Sequence, residues 1–176
     1  MKKSLRWIVF VVAATVVAAF GYGVPSQPNL GGERWRQSQA DNVREAVFRW
    51  QIARHRRYGE VCFLTIDGRS ASATVAFIAE HFKDSPFVKP LAASQMRAPH
   101  TPMLYKTKTI GGFVDARTGQ RALNFWTTAV RWKSDATAEV DGGGAAAIGS
   151  GNDGTFTVIW KKQRWNATRY KMRAMY

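Results

Sequence analysis

The chain has 176 residues, 26 of them Lys or Arg against 12 Asp or Glu, a formal charge of +14. That length favours one domain, and a content of 45% hydrophobic and 12% aromatic residues excludes a disordered chain. One cysteine, Cys62, excludes an intramolecular disulfide framework, three histidines cannot support a zinc-finger array, and no repeat marks a solenoid or propeller.

Lys2, Lys3 and Arg6 precede an apolar run from Trp7 to Phe20 broken only by Thr15. A basic start, a short apolar stretch and small residues at its end describe a secretory signal peptide, with cleavage expected after Ala19. The competing reading retains Trp7 to Val24 as an N-terminal membrane anchor, close to the roughly 20 apolar residues a spanning helix needs. Either way the expected product is exported, periplasmic or anchored in the inner membrane, with its domain outside the cytoplasm. Residues 1–24 are thus the leader, 25–40 a linker rich in Pro and Gly, and 41–176 a single domain.

Asp41 is placed to cap a first helix, with Val43, Val47 and Trp50 on one face and the cationic run Arg54-His55-Arg56-Arg57 at its end. Glu60 to Ile66 reads as a strand and Asp67-Gly68 as a turn. Ser70 caps a second helix, in which Val75, Ile78, Ala79 and Phe82 recur at helical spacing. Four prolines between Asp84 and Pro102 predict an irregular connection with brief extended pieces. Strands are then expected at Leu104–Thr109, Gln120–Lys133, Thr137–Ala147, Gly154–Lys162 and Arg164–Met175. Alternation in the second of these puts Trp126, Val130 and Trp132 on one face and Phe125, Thr127, Ala129, Arg131 and Lys133 on the other. In the last, Arg169, Lys171 and Arg173 oppose Tyr170 and Met172. Helices followed by a meander predict an α+β fold, N-terminal helices packed on one face of a curved antiparallel sheet behind the hydrophobic leader helix.

The segments VREAVFRWQ (43–51), VCFLTIDG (61–68), FIAEHFKDSPFVKPL (77–91), VDARTGQRALNF (114–125), VRWKSDATAEVDGGG (130–144) and TVIWKKQRW (157–165) occur in an order that resembles a group of small exported bacterial proteins of unknown function. Their fold is similar to that of cystatins and the nuclear transport factor 2 superfamily. The resemblance spans residues 41–165 and implies a cone-like fold, with a pocket between helix and sheet, and no catalytic residues. Ala145-Ala146-Ala147 departs from it, where bulky residues are expected after the glycines. A membrane-anchored version also resembles the periplasmic domain of type IV secretion assembly proteins.

Gly149 to Gly154 satisfies the GxGxxG pattern. A strand-like TFTVIW follows it, so it is read as a hairpin turn at Asn152-Asp153-Gly154 rather than a dinucleotide loop. Cys62, in an alternating strand, is read as a small apolar residue before a nucleophile. His81 is the one weak catalytic candidate: with Glu80, Asp67 or Asp84 it offers an acid–base pair, although helix neighbours point about 100° apart. No two histidines have ligand spacing, so no metal is expected, and no cofactor. The strongest feature is basic. Arg131, Lys133, Lys161, Lys162, Arg169, Lys171 and Arg173 form a cationic sheet face suited to an anionic envelope component or an acidic protein surface. Export argues against nucleic acid, and residues 7–24 allow membrane association. The expected function is therefore a non-enzymatic binding or assembly module of the cell envelope. The alternatives are an enzyme or carrier using the helix–sheet pocket, and a secretion-assembly domain.

Overall fold

The structure is a computed structural model that describes residues 31–57, 59–97, 112–147 and 150–176. Helix α1 (Gly32–His55) is rich in Arg, Gln, Glu and Ala, and an i,i+4 pair of Glu45 and Arg49 (2.6 Å) supports its exposed side. It begins well before Asp41. Its first turn is capped from across the domain: Gly32 N donates to Asp135 Oδ2 (3.1 Å), Trp35 Nε1 to the Asp135 carbonyl (3.2 Å) and Arg36 Nη1 to Asp135 Oδ1 (3.1 Å). A carboxylate at the positive end of the helix dipole is favourable wherever in the chain it comes from. Asp41 lies inside the helix and instead accepts from Arg44 (2.8 Å) and Arg69 (3.1 Å). Burial raises its pKa, but these guanidinium groups outweigh burial and hold it below its ordinary value.

Strand β1 (Val61–Ile66) leads into helix α2 (Ala71–His81), whose N-cap Ser70 accepts from Ala73 N through its hydroxyl (3.2 Å). The chain returns as β2 (Val88–Pro90), parallel to β1. A 3-10 turn (Leu91–Ala93) joins it to β3 (Ser94–Arg97), which pairs antiparallel with β4 (Gly112–Asp115). Strands β5 (Ala122–Ser134), β6 (Thr137–Ala147), β7 (Ser150–Lys161) and β8 (Arg164–Met175) form an antiparallel meander. Lys162 and Gln163 turn the last hairpin with φ of 54° and 59°, the left-handed pair a tight two-residue turn requires.

The expected curved antiparallel cone, cystatin-like or similar to nuclear transport factor 2, is corrected here. The sheet is mixed, because β1 runs parallel to both β2 and β5. Among the described residues β2 pairs only with β1 and β8 only with β7, so the edges do not close on each other. The fold is an α+β domain, two helices packed against an open eight-stranded sheet. The expected membrane placement and inner-membrane anchor are corrected with it. Among the described residues no helix is long and apolar enough to cross a membrane. Residues 1–24, on which the leader and anchor readings fall, lie outside the described residues, as do His100 and the strand expected at Leu104–Thr109.

The core has three parts. Phe48, Cys62, Leu64, Ile66, Phe77, Phe82 and Phe125 pack between the two helices and β1 and β5. Val43 and Val47 of α1 meet Ala138, Val140, Phe156, Val158 and Trp165 of the meander. On the opposite face, Val61, Phe63 and Ala122 are covered by Leu91, Ala93 and Phe113. A register shift between Thr127 and Val130 inserts a bulge into β5. Phe125 therefore faces α1 together with Val130 and Trp132, and the single alternation read across all of β5 fails at that bulge. The residues expected to turn a hairpin lie in β7, with Asn152 opposite Gly144, Asp153 opposite Gly143 and Gly154 opposite Gly142.

The glycines have a steric reason. A Cβ on Gly143 would lie 1.9 Å from the Asn152 carbonyl oxygen and 2.5 Å from the Trp126 ring. Gly143→Ala is expected to cost about 3 kcal/mol or to prevent folding, whereas Gly112→Ala, whose nearest neighbour is at 3.6 Å, leaves the denaturation midpoint nearly unchanged. At the β4 turn the buried Asp115 pairs with Lys89 and accepts from Arg117 N (3.0 Å) and Thr118 N (2.9 Å). The Lys89 hydrogen bond, aided by Thr118 and Arg117, holds its pKa down at about 2. A depressed carboxylate stabilises the fold fully above its unfolded value of about 4 and loses that contribution as pH falls through the folded value. Chemical denaturation between neutral pH and pH 2 should show this acid loss in the wild type, and a shallower loss in Asp115→Asn.

Candidate functional site

Helix α1 covers one face of β5–β8 and leaves the other open among the described residues. On that outer face the register aligns Arg131, Glu139, Thr157 and Arg169 in one row and Asp141, Thr155 and Lys171 in the next. Asp141 is the hub. Arg131 holds it with two bonds (2.6 and 2.9 Å), Arg173 Nη1 approaches to 3.3 Å, and Thr155 Oγ1 donates at 2.6 Å. The Arg131 bond leads in depressing the Asp141 carboxyl well below the ordinary range, against the opposing pull of burial. Arg173 also binds Asp153 (2.9 Å), and Lys133 binds Glu139 (3.1 Å).

The seven cations read from the sequence therefore divide. Arg131, Lys133 and Arg173 are partnered by acids on their own face. Lys161, Lys162, Arg169 and Lys171 have no carboxylate within 4.0 Å among the described residues, and Arg164, paired in register with Lys161, joins them. The signal for this subset is in the sequence: from Gly154 to Tyr176 there are six Lys or Arg and no Asp or Glu. Behind these cations the hairpin is anchored by tryptophans. Trp165 lies 5.5 Å from both Trp132 and Trp160, Trp160 lies 5.4 Å from Trp35, and Trp165 Nε1 donates to Gln39 Oε1 (3.1 Å). Edge-to-face aromatic packing of this kind fixes a hairpin that would otherwise fray at the sheet edge. A groove of about 620 Å³ runs between α1 and this hairpin, lined by Glu45, Arg49, Trp160, Arg164 and Trp165.

His81 is brought to a carboxylate that sequence proximity did not suggest. Its Nδ1 lies 2.9 Å from Glu45 Oε2 of α1, while Glu80 is 3.9 Å from Nε2 and mostly exposed. Glu45 also binds Arg49, whose guanidinium donates to the His81 carbonyl (2.8 Å) and reaches Asp84 at 3.5 Å. The imidazole is only 10% exposed and stacks against Phe77 at 4.7 Å. The arrangement clamps α2 to α1 and leaves little of the ring open to a substrate. Cys62 is fully buried, and burial pushes its thiol up to about 12, far from the thiolate a nucleophile needs. Among the described residues no group of three or more His, Cys, Asp or Glu is placed to hold a metal ion. At the far end of α1, His55, Arg57, Glu60 and Arg121 line a smaller cavity of about 260 Å³, and burial followed by the Arg54 charge lowers the His55 pKa.

No protein-family model, curated protein or solved structure matches the chain. The functional reading therefore rests on the arrangement of its own residues.

Proposed function

We propose that this protein is a non-enzymatic binding module that holds an acidic protein surface on the outer face of its β7–β8 hairpin. One observation carries the reading: Lys161, Lys162, Arg164, Arg169 and Lys171 share the hairpin with no acid partner among the described residues, while their neighbours Arg131, Lys133 and Arg173 are neutralised. Like charges gathered on one rigid hairpin repel each other, and an oppositely charged surface relieves that repulsion and gains in association rate. The aromatic residues of this region support a protein partner over single-stranded nucleic acid. Trp132, Trp160, Trp165 and Tyr170 pack inward around α1 and provide no stacking platform beside the cations.

Attraction between exposed charges is screened over about 10 Å at 0.1 M salt, so retention on immobilised polyglutamate should fall steeply with ionic strength. The variant Lys161→Glu/Arg164→Glu/Arg169→Glu/Lys171→Glu should pass through the column at low salt with its circular dichroism unchanged. Arg131→Gln/Asp141→Asn, which removes an internally neutralised pair without changing the net charge, should elute close to the wild type. Wild-type retention by the fourfold variant would refute the proposal.

A further inference from the structure

Strand β8 is twelve residues long, about twice the usual strand, and among the described residues it pairs on one side only. Such an edge presents unpaired N–H and C=O groups at alternate residues, and proteins ordinarily blunt it with a proline, a short strand, a covering helix or charge. β8 contains no proline, and the charge it carries, Arg169, Lys171 and Arg173, is of one sign, so it repels cationic strands and leaves the edge open to acidic ones. Helix α1 packs on its inner face through Trp50 against Tyr170 and leaves the edge itself open. Register shifts at Thr157/Val158 and at Asp153/Gly154 bound a regular window from Arg169 to Met172. Within it, cations alternate with apolar side chains: Arg169 and Lys171 on the outer face, Tyr170 and Met172 on the inner one. Met172 is 47% exposed, and beyond the window Met175 and Tyr176 are 73% and 57% exposed.

We infer that the β8 edge is a receptor for an extended acidic peptide, which adds as a further strand with Asp or Glu at alternate positions opposite Arg169 and Lys171 and apolar residues over Met172. This names the partner class of the basic hairpin and rests on that reading. Strand addition draws its affinity from the main chain and its specificity from alternate side chains. A second copy of the chain is the wrong occupant, because antiparallel self-pairing in this window sets cations against cations, and like charges directly opposite destabilise a strand pair. The chain's own remaining segments are equally unsuited: residues 1–30 and 98–111 contain Lys or Arg and neither Asp nor Glu. Neither segment offers the acidic complement, and a peptide of another protein is the occupant proposed.

The test uses the full chain and a short synthetic peptide of alternating Glu and Val with blocked termini, beside a copy N-methylated at every amide. The copy keeps the charge and loses every backbone donor. The first peptide is expected to shift the amide resonances of Arg169 to Met175 and to slow their hydrogen exchange. The methylated copy should bind at least about tenfold more weakly, and Arg169→Glu/Lys171→Glu should bind neither. Equal binding of the two peptides, with no slowed exchange in β8, would overturn strand addition and leave the acidic-surface reading standing. No binding of either peptide at low salt would overturn both.

Discussion

At Gly142, Gly143 and Gly144 strand β6 is pressed between β5 and β7 so closely that a Cβ would strike the Trp126 carbonyl oxygen, the Asn152 carbonyl oxygen or the Phe125 ring. The rest of the domain is arranged around that approach. Helix α1 lies over this bare stretch, and the buried Gln51 donates to the Gly143 carbonyl (2.8 Å). Among the described residues Gln51 Oε1 and Thr127 Oγ1 are buried without a hydrogen-bond partner. Asp135, in the turn between β5 and β6, fixes the start of α1. A helix held at both points by the same hairpin necessarily divides the core, with Phe48 on the β1 side and Val43 and Val47 on the meander side.

The residue before the glycines sets the electrostatics. Asp141 points away from α1 and takes Arg131 and Arg173 out of the basic face, and Glu139 does the same for Lys133. A strand that is apolar or glycine on its inner side thus carries carboxylates on its outer side, and they balance the cations of β5 and the end of β8. Among the described residues no such acid lies within 4.0 Å of Lys161, Lys162, Arg164, Arg169 or Lys171 of the β7–β8 hairpin. Its charge is left over from folding, on a frame made rigid by the tryptophans beneath it.

Much of this was legible from sequence. The strands Thr137–Ala147 and Arg164–Met175 match their expected bounds, and Ser70 caps α2 as its position suggested. What escaped was non-local. Asp135 caps α1 from a separation of 103 residues, so Asp41 looked like the natural start. Glu45 and His81 meet only because α1 and α2 pack together. The bulge in β5 depends on its partner strand and reverses the alternation read from β5 alone. One signal was present and undervalued: VCFLTI is apolar almost without interruption, the mark of a parallel strand buried on both faces. Read that way, it argues against an all-antiparallel cone.

The division of charge on the outer face is tested most directly by following the Asp141 carboxyl carbon by NMR through an acid titration. The expected midpoint lies well below the ordinary carboxylate value, moving up when Arg131 is changed to Gln. A midpoint near the usual value of about 4, unmoved by that substitution, would show that Asp141 does not neutralise its two arginines and would contradict the assignment of the free charge to the β7–β8 hairpin.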